Sequence, residues 1–197
     1  MAIEPSGPRC FYSVDEFAAL PEDNSMRYEL VNGRMVASPR PGMPHMVVIG
    51  ELYTQLRAQL PADLIAVSEI DLDLQLERPV VRIPDLVVVD VRAAHRRGLV
   101  KARDVRLAVE VLSASAVRTD TRADNKDKPL EYADAGIPNL WIVDPRPPVT
   151  MTVHELVEGD YRESQRAERS VHVRRPCELR IDLHSLLPAA LRQGTPV

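Results

Sequence analysis

Cysteine is scarce: Cys10 and Cys177 stand alone in 197 residues, far apart and without the spacing of metal ligands. Reduced thiols are therefore expected, not a disulfide framework or a zinc site. Long apolar runs are missing too, so no segment reads as a membrane span. Met1 to Cys10 hold neither the basic nor the apolar stretch of a secretory leader, and a cytoplasmic location is expected. There are no internal repeats and no low-complexity linker. Positive charge is not in surplus either. The formal net charge of −4 argues against broad, nonspecific binding to nucleic acid, because phosphate contacts need cations. One local cluster permits such contact: Arg92, Arg96, Arg97, Lys101, Arg103 and Arg106, opposed in that stretch by Asp104. A solvated loop between strands is the plainer account of it.

What is present fits an ordinary globular chain, with 45% hydrophobic and 27% charged residues. The length suits one well-buried core better than two. A single domain over residues 11–187 is expected, with flexible termini at 1–10 and 188–197.

Local patterns predict the elements. Ser13 followed by Glu16 reads as a capping box that starts a helix. Arg27 to Val36 alternates around Asn32-Gly33, the strongest short signal for a hairpin. His45 to Leu60 repeats Val48, Leu52, Leu56 and Leu60 at four-residue spacing, which predicts an amphipathic helix lying on a sheet. Strands are expected at about 64–69, 72–76, 85–90 and 107–112. A helix ending near Ala135 follows, stopped by Gly136. Further strands are expected at 139–145, at 149–156 and 161–169 around Glu158-Gly159-Asp160, and at 178–183. A helix between β units with a largely antiparallel remainder predicts an α/β or α+β fold with a mixed central sheet.

Two of these strands carry the chemistry. Asp85 opens the run Asp85-Leu86-Val87-Val88-Val89, and Glu110 lies inside Leu107-Ala108-Val109-Glu110-Val111-Leu112. A carboxylate inside a buried strand is costly unless a cation or hydrogen-bond donors meet it. Two such acids converging at one end of a sheet would form a hard-oxygen site suited to a divalent metal. The plain alternatives are a turn-capping acid after Pro84 and a buried acid paired with arginine.

Lysine is nearly absent. Of 25 basic residues, Lys101, Lys126 and Lys128 are the lysines and the rest are arginines. Where arginine serves almost everywhere, a retained lysine suggests a task that needs a compact ammonium. The alternative is that Lys126 and Lys128 are exposed and pair with Asp124, Asp127 or Glu131. Pro129 favours a first helical turn, which would put Lys128 at a helix start. His45, at the start of the earlier helix, could contact phosphate or transfer a proton; packing or capping is the plainer role for a lone histidine. Tyr132 and Trp141 read as core.

Tyr28-Glu29-Leu30-Val31-Asn32-Gly33, Pro84-Asp85, Glu110-Val111-Leu112-Ser113, Lys128-Pro129 and Tyr132 through Ala135-Gly136-Ile137-Pro138 to Trp141-Ile142-Val143-Asp144-Pro145 form an ordered set. Together they resemble the Uma-two family of the PD-(D/E)XK nuclease superfamily, over about 11–187. The resemblance implies a restriction-endonuclease-like core, in which Asp85 and Glu110 bind Mg²⁺, with Mn²⁺ as a substitute, and a lysine assists the attacking water. The superfamily pattern asks for that lysine two positions after the glutamate, where this chain has Leu112, so Lys128 on the following helix becomes the candidate. The Val111 carbonyl is a further metal ligand in this reading. Glu29 is an extra metal or water ligand, its plain alternative being a cross-strand pair with Arg34.

The expected activity is metal-assisted hydrolysis of DNA phosphodiester bonds. Cutting both strands would be easiest for a two-fold homodimer. A nuclease-fold DNA binder without catalysis, or an interaction module that never meets nucleic acid, are the competing readings. Metal dependence and the effect of losing Asp85 separate the three.

Overall fold

The computed structural model describes residues 11–21, 23, 25–112 and 124–192, with the backbone alone at 124–126 and 192. The expectations for residues 1–10, the polar stretch 113–123, the Asp124 and Lys126 side chains and the last five residues lie outside this set.

Helix α1 (Val14–Ala18) begins as its sequence dictates. The Ser13 hydroxyl accepts from the Glu16 N–H at 3.2 Å, and the Glu16 carboxylate accepts from the Ser13 N–H at 3.0 Å. Strands β1 (Arg27–Val31) and β2 (Arg34–Ser38) then form the hairpin, with Asn32 and Gly33 at φ 51° and 79°. Both central residues at positive φ match the right-handed strand twist. Helix α2 (Met43–Arg57) starts two residues earlier than its periodicity suggests, because Pro44 is tolerated in the first turn, where its missing N–H costs nothing. Its buried stripe is Val48, Ile49, Leu52 and Leu56, with His45 at the same face near the N-terminus.

Then follow β3 (Leu64–Ser68), β4 (Leu72–Asp73), β5 (Val81–Arg82), β6 (Leu86–Asp90), β7 (Val100–Lys101) and β8 (Val105–Val111). The strand expected over 72–76 stops at Asp73. There the Asp73 carboxylate accepts from the Gln75 N–H at 2.9 Å and Gln75 takes φ 55°, so the side chain turns the backbone. Strands β5 and β7 are two residues long, too short for alternation to be read. Helix α3 (Asp124–Asp134) leads through Gly136, at φ 73°, to β9 (Asn139–Asp144). The chain closes with β10 (Thr150–Val157), β11 (Asp160–Ala167), β12 (Ser170–Val173), β13 (Leu179–Asp182) and α4 (Ala189–Arg192). Residues 189–192 thus form a short helix within the segment expected as tail.

One sheet runs β2-β1-β5-β4-β7, a second runs β11-β10-β9-β8-β6-β3, and β12 pairs with β13. In the second sheet β6 and β8 are antiparallel, whereas β8 and β9 are parallel, as a crossover through α3 requires. The architecture is therefore a mixed α+β fold. Alternation splits the second sheet's side chains between two cores. Leu86, Val88, Leu107, Val109 and Val111 pack with α2 and the β12–β13 hairpin. Val87, Val89, Ala108 and Leu140 pack with Tyr132, Ile137, Leu72 and Leu74. Among the described residues no helix is long and apolar enough to cross a membrane.

Candidate active site

The β6–β8 register pairs Leu86 with Val109, so one step further along each strand Asp85 comes to Glu110 and Val111. The Asp85 Oδ2 accepts the Val111 N–H at 2.7 Å. Its Oδ1 lies 3.1 Å from Arg27 Nη1 and 3.1 Å from His45 Nε2. Burial works to raise the Asp85 pKa, but His45, Arg27 and Lys128 outweigh it and hold the carboxyl below the usual range. The His45 contact is one of proximity: both ring nitrogens are buried without a hydrogen-bond partner.

Lys128 is 8% exposed. It lies inside α3, not at its start, and Pro129 is carried within the helix. Its Nζ is 3.1 Å from Glu29 Oε1, 3.3 Å from Glu110 Oε2 and 3.3 Å from the Ile83 carbonyl. Burial alone would lower its pKa, yet Glu110, Glu29 and Asp85 raise it above the usual lysine value, against Arg27. It is a fixed ammonium and not a base.

Glu110 sits in the opposite balance. Burial pushes it up to about 7; Asp85 and Glu29 add to that push, and Lys128 and the Tyr132 hydroxyl oppose it. The Tyr132 hydroxyl donates to Oε1 at 2.7 Å. Glu29 behaves more like Asp85. Burial raises it, but Lys128, Arg82 and the Ile83 N–H, at 2.8 Å, bring it below the usual range. The cross-strand alternative with Arg34 does not form, because the hairpin register sets Glu29 opposite Val36.

Residues that sequence reasoning passed over complete the site. Arg82 has no exposed surface; it donates to Glu131 at 2.6 and 2.9 Å and to Glu29 at 3.0 Å. Arg27 donates to the Ile83 carbonyl at 2.8 Å besides Asp85. The backbone of Ile83 is thus a hub: its N–H holds Glu29, and its carbonyl takes both Arg27 and Lys128. Arg82 carries the same signal that singled out Asp85 and Glu110, a charge inside the apolar run Val80-Val81-Arg82-Ile83. A cleft of about 700 Å³ adjoins the site, lined by Arg27 and Ile83 together with Phe17, Met26, Tyr28 and Asp71.

The arginine cluster of 92–106 is partly spent on internal pairs. Arg96 binds Asp104 at 2.5 Å, Lys101 lies 3.4 Å from Asp73, and Arg92 and Arg106 lie 3.8 and 3.9 Å from Asp90. Cys177 is a free thiol.

Among the described residues no group of three or more His, Cys, Asp or Glu side chains is arranged to hold a metal. The donor set at Asp85 and Glu110 is nonetheless hard oxygen. Mg²⁺ is commonly held by one or two carboxylates plus substrate and water, not by a full protein cage. The residues fit a divalent ion.

Two acids meeting at the end of adjacent strands of a mixed sheet, with a lysine delivered by the crossover helix, are the marks of a restriction-endonuclease-like protein. Residues 14–184 match the Uma2 family, described as putative restriction endonuclease, and the chain belongs to that family. This places it among nucleases at the level of the family. Its fold is similar to that of a putative nuclease belonging to DUF820 from Anabaena variabilis, with TM-score 0.65 over 90% of this chain and 99% of that one, at 19% identity. No curated protein matches it in sequence.

Proposed function

We propose that the chain is a metal-dependent endonuclease that hydrolyses phosphodiester bonds of DNA, with residues 11–187 acting as one cytoplasmic nuclease domain. The observation that carries this reading is the burial of Lys128 between Glu110 and Glu29, beside Asp85. Leu112 holds the strand position where the superfamily has its lysine, a gap that by itself would favour an inactive nuclease fold. An ammonium from α3 at 3.3 Å from Glu110 fills it in space.

Asp85, Glu110 and the Val111 carbonyl would hold Mg²⁺, or Mn²⁺ in its place. When bound, the ion would polarise a phosphoryl oxygen and lower the pKa of a water. The remaining work belongs to the chain. Lys128, kept protonated by its three acids, stabilises negative charge that develops on the phosphate or orients the attacking water. Glu29 holds that ammonium in place and adds its own carboxylate to the water side. Arg27 and His45 Nε2 flank Asp85 Oδ1 and favour its ionised form, which leaves His45 Nδ1 as the ring nitrogen for a phosphate oxygen or for proton transfer. Cleavage of both strands would be easiest for a two-fold homodimer of the chain.

Nicking of supercoiled plasmid in Mn²⁺ and in Mg²⁺ tests the proposal. Asp85→Asn and Lys128→Ala should each lower the rate by about 10² or more, the scale on which loss of one preorganised electrostatic group acts. Chelation should abolish nicking. Activity indifferent to metal, or untouched by both substitutions, would refute it.

A further inference from the structure

Glu110 has two donors from one face of α3, Lys128 and, one turn later, Tyr132. They are not equivalent. Lys128 is divided among Glu110, Glu29 and the Ile83 carbonyl at 3.1 to 3.4 Å, whereas the Tyr132 hydroxyl donates to Glu110 Oε1 at 2.7 Å. The Tyr132 ring has no exposed surface and is packed in the core with Leu140 and Ile137, so the hydroxyl is aimed by the fold. Burial and the nearby Glu110 charge raise its pKa well above the usual phenol value, which keeps it a donor.

We propose that Tyr132 is a positioning residue that fixes the Glu110 carboxylate for divalent-cation binding. This rests on the metal reading above. A neutral donor suits the task where a second ammonium would not. It ties down one carboxylate oxygen through a short hydrogen bond, yet adds no full positive charge to repel an incoming cation. It acts through Glu110 and touches neither phosphate nor metal. Partners of this kind fix the orientation of a ligating side chain, and losing one commonly costs about 10–100-fold in metal affinity.

The test is calorimetric titration of the full chain with Mn²⁺ alone. Tyr132→Phe keeps the ring and its packing and removes the donor; Mn²⁺ affinity should fall about 10–100-fold. Leu140→Val disturbs the same core and spares the hydroxyl, and its affinity should stay within about twofold of wild type. In plasmid nicking, the Mn²⁺ concentration for half-maximal rate should rise in Tyr132→Phe by the same factor, with the rate at saturating Mn²⁺ changed far less. Affinity in Tyr132→Phe within about twofold of wild type overturns the proposal. So does an equal loss in Leu140→Val, which would make the effect one of packing. A wild-type chain that binds no Mn²⁺ overturns the metal reading itself and this proposal with it.

Discussion

Glu110→Gln should stabilise the metal-free protein, by an amount that grows as pH rises from about 4.5 to 7 and is level above that. The ordinary glutamate value is 4.5, and burial pushes Glu110 to about 7 in the fold. The folded state therefore binds this proton more tightly than the unfolded state does. For such a group, stability is complete below the unfolded pKa and is lost as pH rises through the folded one. At about 1.4 kcal/mol per pH unit, the gap leaves the ionised wild type roughly 3 kcal/mol less stable above about pH 8 than a chain neutral at this position. Glutamine imitates the protonated acid. It can still accept from Tyr132, and Lys128 keeps Glu29, so no buried charge is stranded. Melting in chelator should show the variant about 6–12 °C above wild type near pH 8.5, on the scale of 2–4 °C per kcal/mol for a chain of this size. Near pH 5 the difference should shrink below about 1 kcal/mol. Mn²⁺ should raise the wild-type melting temperature and leave the variant's nearly unchanged. A variant that melts below wild type at pH 8.5, or a difference that ignores pH, would refute the reasoning.

Two further outcomes concern the scaffold. Arg82→Met leaves the Glu131 and Glu29 carboxylates in the core without the guanidinium they share, and breaking a buried pair costs about 3–5 kcal/mol. The melting temperature should fall by about 6–20 °C, and a drop under about 3 °C would show that the clamp contributes little. Gly33→Ala forces a side chain into φ 79° with Phe11 Cδ1 only 3.2 Å from the new Cβ. Urea unfolding should show a loss of about 1–2 kcal/mol, and a loss of only a few tenths would contradict that strain.

How far the site could be read in advance depended on contrast with its surroundings. Asp85 and Glu110 stood out as acids in apolar strands, and the register does bring them together. Lys128 stood out because lysine is rare here, and its helix turned it inward despite Pro129. Arg27 had no such contrast, since arginine is the common cation of this chain, whereas Arg82 had the contrast of place, a charge in an apolar run, without that of residue type. Glu131 and Tyr132 gained meaning only once α3 was placed, because their spacing of three and four from Lys128 matters on a helix and nowhere else. Glu29 was legible as a residue but not in its partner. Arg34 looked near in sequence, yet the two-residue turn pairs it with Val31. In the fold, the longer strands and both capped ends showed through their periods. The two-residue strands β5 and β7 did not, since they are defined by pairing across the chain and not by local pattern, and β4 showed in its position but not in its length.

Only residues 83–85 separate β5 of one sheet from β6 of the other, and Pro84 stiffens the middle of that link. Glu29 and Arg82 ride on the first sheet; Glu110 rides on the second, with Asp85 at its threshold. The chemistry is therefore stretched across a seam, with Ile83 as its rivet. Shear between the two sheets would separate Glu29 from Glu110 and draw Lys128, which bridges them, away from one or the other. Since a misplacement of about 1 Å can cost on the order of 10² in rate, the proposed hydrolysis would depend on how stiffly this joint is held.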